Sequence, residues 1–354
     1  MSYNAFSKPR FYTNSIEHLY NQGNVISVDP IFLSSSWHNP KTYDLETSVT
    51  YTHKKEFKVK LSKGTLLYDF NYIMILGHNL NSSISSLRCF FTYEGEQSPT
   101  YSIRDYNLNM SSNISETTGG TAEDAWSVPS YNYVPIIIEV EPQSQLIDEI
   151  TVILFNNEET PVPIRVSGIS FGSYYDLPYN PDLGIKKSIS YDNINTYDTI
   201  SGKTLSSDFG SSKPFNPFVN VYNNATEQHL YDEEGDVSVT DSQDYTPSGR
   251  RSYDISYSYI GSSESGQNHL MPRDFNFYKD IKQLDYDHHY DPDKGNLYTS
   301  VINKTMGTHI PFIFLLNGSN PNELMLARFK DNNFSFDEVA PNVHNVSFGI
   351  REVW

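Results

Sequence analysis

The sequence is poor in cysteine, with one such residue among 354, and it holds only three tryptophans. A single cysteine excludes an intramolecular disulfide framework. Cys89 lies in the strand-like run LRCFFTY, where we expect a buried, inert thiol rather than a nucleophile. No apolar run approaches the roughly 18 residues that cross a bilayer, and the N-terminal segment lacks the pattern of a secretion signal. We therefore expect a soluble chain without membrane insertion.

Basic residues are also scarce. The chain has 25 lysines and arginines against 43 aspartates and glutamates, which gives a formal net charge of -18. A surface that binds DNA or RNA must neutralise phosphates with positive side chains. The charge therefore argues against specific nucleic-acid binding.

Short catalytic motifs are absent from the sequence. It contains no Gly-x-Ser-x-Gly elbow, His-Glu-x-x-His helix, phosphate loop or dinucleotide fingerprint. Carboxylates are abundant, but a linear sequence does not show two of them facing each other across a glycosidic bond. We predict that the protein is not an enzyme and that it uses no cofactor.

Aromatic residues, by contrast, are numerous, with 27 tyrosines and 20 phenylalanines. Aromatic and β-branched side chains favour half-buried strands, whereas runs of the best helix formers are few. Strand-like runs recur between clusters of Asn, Ser, Gly and Pro, which is typical of antiparallel sandwiches. In the first half these runs are EFKVKL, FNYIMIL, SLRCFFTY, VPIIIEVE, EITVILF and PIRVSGISFG. We predict an all-β fold with a short helix over residues 15–22.

The length of the chain favours two domains rather than one. The polar, proline-containing segment YYDLPYNPDLG at residues 174–184 is the best candidate boundary. We predict two antiparallel β-sandwich domains, residues 1–172 and residues 173–354. In the second domain we expect a long acidic loop over residues 199–249 and one packed helix near residues 295–307 that ends at a glycine.

The segment Asp285–Gly295, DYDHHYDPDKG, has the composition of a metal site but not the spacing. An EF-hand calcium loop needs Gly at its sixth position and Glu at its twelfth, and the register that places Gly295 sixth places Val301 twelfth. The adjacent His288 and His289 would point apart on a strand, whereas structural zinc draws on separated ligand pairs. We predict no bound metal and interpret the segment as a solvated acidic loop.

Four aromatic residues fall in predicted loops of the first domain: Trp37, Trp126, Tyr131 and Tyr133. Exposed aromatic rings stack on sugars, so these side chains are candidate glycan contacts. The alternative is that they pack beneath their own loops.

A second group of aromatic residues alternates along the run RRSYDISYSYIG, where Tyr253, Tyr257 and Tyr259 give one strand face an aromatic character. Such a face packs either into the core or against another subunit. We predict these three tyrosines as candidate oligomer contacts.

The run NYIMILGHNL ends a predicted strand at Gly77 and His78. A histidine just past a strand suits either a site or a turn, because loops carry much of protein chemistry. No catalytic partner lies near His78 in sequence. We therefore predict a structural role, in which Gly77 permits a bend and His78 with Asn79 satisfies backbone groups of the loop.

The same run resembles the strand and turn of discoidin-like or galactose-binding-like β-sandwich domains in structural proteins of tailed bacteriophages. Further segments look like a group of marine-phage virion proteins in which the same order recurs: PRFYTNSIEHL, FGSYYDLPYNPDLG, GRRSYDISYSYI, and the terminal PFIFLLNGSNPNELMLARF with VAPNVHNVSFGIREVW. Together these segments are distributed along nearly the whole chain.

The resemblance implies a virion component of the tail, distal tail or baseplate, assembled in the host bacterial cytoplasm. Its second domain is similar in outline to tail-tube and distal-tail proteins, and its partners would be copies of itself, in a ring or trimer, and other tail proteins. The resemblance assigns no catalytic residue to this chain. Alternatives are a receptor-binding appendage that contacts host cell-surface glycan, and a capsid decoration or neck protein.

Overall fold

The computed structural model describes residues 8–37, 41–47, 53–62, 70–78, 85–93, 104–106, 136–139, 147–156, 163–177, 180–190, 194–198, 200, 204–208, 250–261, 297–317, 324–340 and 343–353. Within these ranges the chain forms mainly antiparallel β-sheets, which confirms the all-β prediction.

The strands are β1 Arg10–Asn14, β2 Val25–Val28, β3 Lys41–Tyr43, β4 Glu46–Thr47, β5 His53–Leu61, β6 Tyr72–Leu76, β7 Ser85–Tyr93, β8 Arg104–Tyr106, β9 Ile136–Glu139, β10 Ile147–Asn156, β11 Ile164–Val166, β12 Gly168–Asp176, β13 Lys186–Ser190, β14 Ile194–Asp198, β15 Thr204–Asp208, β16 Arg250–Gly261, β17 Phe312–Leu315, β18 Met325–Phe329, β19 Ser335–Ala340 and β20 Val343–Glu352. The helical elements are the α-helix α1 Ser15–Asn21, two 3₁₀ turns at Pro30–Phe32 and Ser34–Ser36, and a π-helical segment at Tyr298–Ile302.

Ten strands form one large sheet in the order β13, β16, β20, β18, β17, β1, β12, β6, β9, and β19 pairs with β20 beside this path. A six-stranded sheet has the order β2, β5, β10, β7, β8, and β4 pairs with β5. Two ribbons, β3 with β11 and β14 with β15, complete the described strands. All described strand pairs are antiparallel.

The first core lies between the large sheet and the six-stranded sheet. The large sheet contributes Ile73 and Phe171, and the six-stranded sheet contributes Val59, Phe91 and Val152, all at most 2% exposed. Strand β6 is buried on both faces: Ile73 faces the first core, whereas Tyr72 and Met74 belong to a third buried cluster together with Trp37. In β5, by contrast, Val59 lies between the exposed Lys58 and Lys60, so only one face of that strand turns inward. This half of the molecule is therefore a β-sandwich.

The second core covers the same face of the large sheet further along, where phenylalanines dominate. The ring of Phe11 lies 4.9 Å from that of Phe314 and 6.2 Å from that of Phe348, measured between centroids. Leu297 and Val301, from the π-helical segment and the residue before it, are fully buried in this cluster. The short helical segment therefore packs on the sheet and closes this core.

The predicted boundary between residues 172 and 173 falls inside β12. Strand β1 pairs with β12 on one side and with β17 on the other, so one sheet joins the N-terminal and C-terminal parts of the chain. The first core nevertheless draws its residues from the predicted first domain, and the second draws nearly all of its residues from the predicted second domain. The division into two domains stays a prediction.

Two predicted elements of the second half differ in detail from the structure. The packed helix expected near residues 295–307 is a π-helical segment over Tyr298–Ile302, followed by turns in which Gly307 has a positive φ of 68°. The acidic loop expected over residues 199–249 contains strand β15, because its residues pair with β14 as a hairpin. Residues 201–203 and 209–249 lie outside the described part of the chain.

The predicted helix over residues 15–22 is confirmed as α1. The side chain of Asn14 caps it by accepting a hydrogen bond of 3.3 Å from the backbone N–H of Glu17. The Glu17 carboxylate in turn accepts bonds from the backbone N–H and hydroxyl of Ser34, at 3.0 and 2.7 Å. Burial raises the pKa of Glu17, and the two bonds from Ser34 oppose that shift. Helix α1 buries Ile16 and Leu19 in the first core.

The turn after β6 has the predicted geometry. Gly77 adopts a positive φ of 51°, and its carbonyl accepts a hydrogen bond of 3.1 Å from the backbone N–H of Ser167. His78 is completely buried, so its imidazole has no access to solvent. These observations fit the structural role that we predicted for His78.

Candidate functional site

Strand β13 forms one end of the large sheet as described. Among the described strands it pairs with β16 alone, and four of its five residues are exposed. Ile189 is 64% exposed, and Leu183, just before the strand, is fully exposed. An exposed edge strand presents backbone N–H and C=O groups that can pair with another chain. We call Leu183 and residues 186–190 the β13 edge.

The β13 edge is firmly held to the rest of the sheet. The hydroxyls of Ser188 and Ser252 lie 2.7 Å apart, and the ammonium of Lys187 lies 5.7 Å from the centre of the Tyr253 ring. The carboxylate of Asp182 accepts a hydrogen bond of 2.8 Å from the hydroxyl of Ser258. Because these contacts order the strand in advance, a partner that pairs with it loses little conformational entropy on binding.

The hairpin of β14 and β15 follows β13 in the chain, and it pairs with no third strand among those that the structure describes. Ile200, in the connection between its strands, is fully exposed. An isolated two-stranded hairpin is marginally stable in water, because it buries little apolar surface. Further packing, from the rest of this chain or from another chain, would stabilise the hairpin.

The predicted oligomer contacts in β16 divide into two groups. Tyr253 and Tyr257 are 7% and 3% exposed and belong to the second core, so for them the core alternative holds and the interface prediction is corrected. Tyr259 is 77% exposed and has a positive φ of 58° at a β-bulge. The bulge interrupts the alternation and turns this side chain outward. Tyr259 remains a candidate contact.

The predicted glycan contact at Trp37 is also corrected. This residue is 1% exposed, and its indole N–H donates a hydrogen bond of 3.0 Å to the carbonyl oxygen of Ile31. Its ring packs against Gly168, where a Cβ atom would lie 2.1 Å from Trp37 Cδ1. Trp37 is thus a core residue, which was the alternative for it. Residues 126, 131 and 133, the other predicted contacts, lie outside the described residues.

A polar link lies between the first and second cores on the large sheet. In β12, Ser173 stands between Phe171 of the first core and Tyr175 of the second. The ammonium of Lys304 donates a bond of 2.6 Å to the hydroxyl oxygen of Ser173, which also lies 3.1 Å from the hydroxyl of Thr13. Ser173 is 7% exposed inside a strand, so a substrate carbonyl cannot reach it, and the group acts as a structural connection.

Burial shifts two titrating groups at this link. The residue Lys304 keeps some exposure, but its surroundings desolvate the ammonium and lower its pKa to about 7. Burial, followed by the nearby charge of Lys304, lowers the pKa of His18 in α1. Folding therefore favours the loss of a proton from each group.

Three further sequence predictions concern the single cysteine, a metal site and membrane insertion. The thiol of Cys89 is buried, and burial raises its pKa, so it stays protonated at neutral pH. Among the described residues no three His, Cys, Asp or Glu side chains are grouped to hold a metal ion. The segment Asp285–Gly295 lies outside the part of the chain that the structure describes. None of the described helices is long and apolar enough to span a membrane.

Sequence reasoning missed Leu183, Ile189 and Lys304. The run GIKKSISYD, which contains β13, gives no sign that a strand there ends a sheet, because an edge depends on pairing over long distances in sequence. Lys304 carries no local signal, since its partner Ser173 is 131 residues away.

No protein-family model matches the chain, and no curated protein matches it at a significant level.

Proposed function

We propose that this protein is a structural component of a tailed-phage virion that assembles with copies of itself, as a tail, distal-tail or baseplate adaptor. The observation that supports self-assembly best is the β13 edge, where an ordered strand is exposed on both faces. A second strand added there would satisfy its backbone groups and cover Ile189. The virion assignment rests on the ordered series of sequence segments given above.

The charges of the β13 edge also support self-assembly. Lys186 and Lys187 lie on this strand, whereas the whole chain has a formal net charge of -18. A positive edge on a negative molecule attracts another copy of that molecule and favours defined orientations. The negative charge elsewhere also suits a particle component that must not adhere to the DNA it encloses.

The experiment is size-exclusion chromatography with light scattering on wild-type protein and two variants. Ile189→Lys places a charge on the β13 edge, and Ile26→Lys makes the same change at an isoleucine that is 61% exposed on the six-stranded sheet. We expect the wild type and Ile26→Lys to form the same oligomer and Ile189→Lys to shift toward monomer. A wild type that is monomeric at all concentrations contradicts the proposal.

The assignment to a virion needs a separate experiment. If particles purified from the natural host are separated by density and digested, mass spectrometry should find this chain in a fixed ratio to the other tail proteins. Absence of the chain from intact particles contradicts the virion assignment even if the purified protein self-assembles.

A further inference from the structure

A polar cavity lies on the large sheet next to the start of the β13 edge, since Gly184 lines it and its lining residue Asp254 is the register partner of Lys186. It has a volume of about 400 Å³ and is bounded by β16, β19, β20 and the turn between β18 and β19. This volume lies in the roughly 300 to 1,000 Å³ range of small-molecule sites. The cavity is therefore large enough for a small ligand.

The floor of the cavity is a row of three serines on adjacent strands. Ser347 in β20 is the register partner of Ser256 in β16 on one side and of Ser335 in β19 on the other. All three line the cavity. Strands lie about 4.8 Å apart, so the row presents hydroxyl groups at regular intervals to whatever occupies the cavity.

The wall of the cavity is a turn that the rest of the protein holds in place. The backbone N–H of Lys330 donates a bond of 2.9 Å to the carbonyl of Gly349. The side-chain oxygen of Asn332 accepts bonds of 2.9 and 2.7 Å from the backbone N–H and hydroxyl of Thr308. Asp331 and Asn333, on either side of Asn332, are exposed and line the cavity. The wall is thus ordered before any ligand binds.

The charges at the cavity restrict the class of ligand. The ammonium of Lys330 forms an ion pair with Asp254, which also lines the cavity, and Gly349 leaves room for both side chains. The Lys330 ammonium compensates the charge of Asp254, and the exposed carboxylate of Asp331 repels anions. Among the residues that the structure describes, no three His, Cys, Asp or Glu side chains are grouped here to hold a metal ion. The serine hydroxyls and the Asn333 amide offer several hydrogen bonds to neutral groups. A neutral ligand rich in hydroxyl groups meets all of these conditions.

We propose that this cavity binds a neutral saccharide unit, through the serine row on its floor and Asp331 and Asn333 at its wall. Trp37, which the sequence suggested as a glycan contact, does not line this cavity. The proposed site also does not depend on self-assembly at the β13 edge.

The test is saturation-transfer NMR on the full chain with glucose, galactose, mannose, N-acetylglucosamine, lactose and maltose, and with glucuronate as an anionic probe. Asp331→Ala removes a carboxylate from the wall, and Ser347→Phe fills the cavity from the floor. Asp337→Ala is the matched control, because Asp337 is an exposed carboxylate on β19 that does not line the cavity. Thermal unfolding checks that all variants are folded.

We expect at least one neutral sugar to bind with a Kd of about 1 mM, as single sugars with few contacts do. Both cavity variants should weaken that binding by about tenfold or more, since each loses hydrogen bonds or space. The control and Ile189→Lys should bind like wild type. The proposal is overturned if no neutral sugar binds, if a sugar binds the cavity variants as tightly as wild type, or if glucuronate binds more tightly than glucose.

Discussion

The ammonium of Lys304 and the hydroxyl oxygen of Ser173 lie 2.6 Å apart at the point where the two cores meet on the large sheet. This contact joins the segment after the π-helical turn to β12. Desolvation at this position lowers the pKa of the Lys304 ammonium to about 7.

Lys304 should make the stability of the fold depend on pH. The folded-state pKa of about 7 lies below the ordinary value of 10.5, so between these values the unfolded chain binds the proton and the folded protein does not. Stability therefore rises with pH from about 7 to about 10.5, and the cost of burying the charge is fully present below pH 7. In Lys304→Met this rise should be smaller than in wild type.

The measurement is urea unfolding at several pH values across that window. Lys186→Met is the control, because Lys186 is an exposed residue of β13. Its variant should keep the wild-type slope of unfolding free energy against pH. Equal slopes for Lys304→Met and wild type contradict the assignment of a buried, neutral Lys304.

A second prediction concerns the ion pair between Arg251 and Glu352. Glu352 is 2% exposed, and its carboxylate accepts bonds of 2.8 Å from the backbone N–H and from Nη2 of Arg251. Breaking a fully buried pair costs about 3 to 5 kcal/mol. The Arg251 side chain keeps 28% exposure, so for Glu352→Ala we expect a smaller loss of about 2 to 3 kcal/mol.

Urea unfolding tests this expectation together with the double variant Arg251→Met/Glu352→Leu. The double variant should recover much of the loss, because apolar residues of similar volume replace both charges. If Glu352→Ala alone changes the unfolding free energy by less than about 0.5 kcal/mol, the pair contributes no more than an ordinary surface contact.

A third prediction concerns the contact between Gly168 and Trp37. An alanine Cβ at position 168 would overlap the Trp37 ring, with 2.1 Å to Cδ1. We expect Gly168→Ala to displace the buried indole, to destabilise the fold by about 1 to 3 kcal/mol and to shift the fluorescence of Trp37 to longer wavelength. The measurement uses a chain in which Trp126 and Trp354 are replaced by phenylalanine. Gly184→Ala is the control, because no atom lies within 4 Å of its added Cβ.

The sequence predicted local structure better than long-range structure. The strands β5, β6, β7, β10 and β12 and the helix α1 appear where periodicity indicated them, because alternation and capping act between near neighbours. Pairing of β1 with β17 joins residues about 300 positions apart and leaves no local signal. For this reason the sequence showed neither the single sheet through the predicted boundary nor the edge at β13.

The candidate sites were also difficult to predict, because they depend on contacts between residues far apart in sequence. The alternation in RRSYDISYSYIG indicated one aromatic face, but it did not distinguish a core from a subunit contact, and the bulge that turns Tyr259 outward could not be predicted from the pattern. Trp37 fell in a loop, and its burial depends on Gly168, which is 131 positions away. The serine row of Ser256, Ser335 and Ser347 requires the register of three strands.

The central claim is that another copy of the chain covers the β13 edge. Hydrogen exchange of the β13 amides, measured by mass spectrometry from dilute to concentrated protein, tests it most directly. We predict that exchange in residues 186–190 slows as concentration rises, while exchange in β2, a strand at one end of the six-stranded sheet, stays constant. Exchange in residues 186–190 that does not change with concentration, in a sample whose mass remains that of the monomer, contradicts the account.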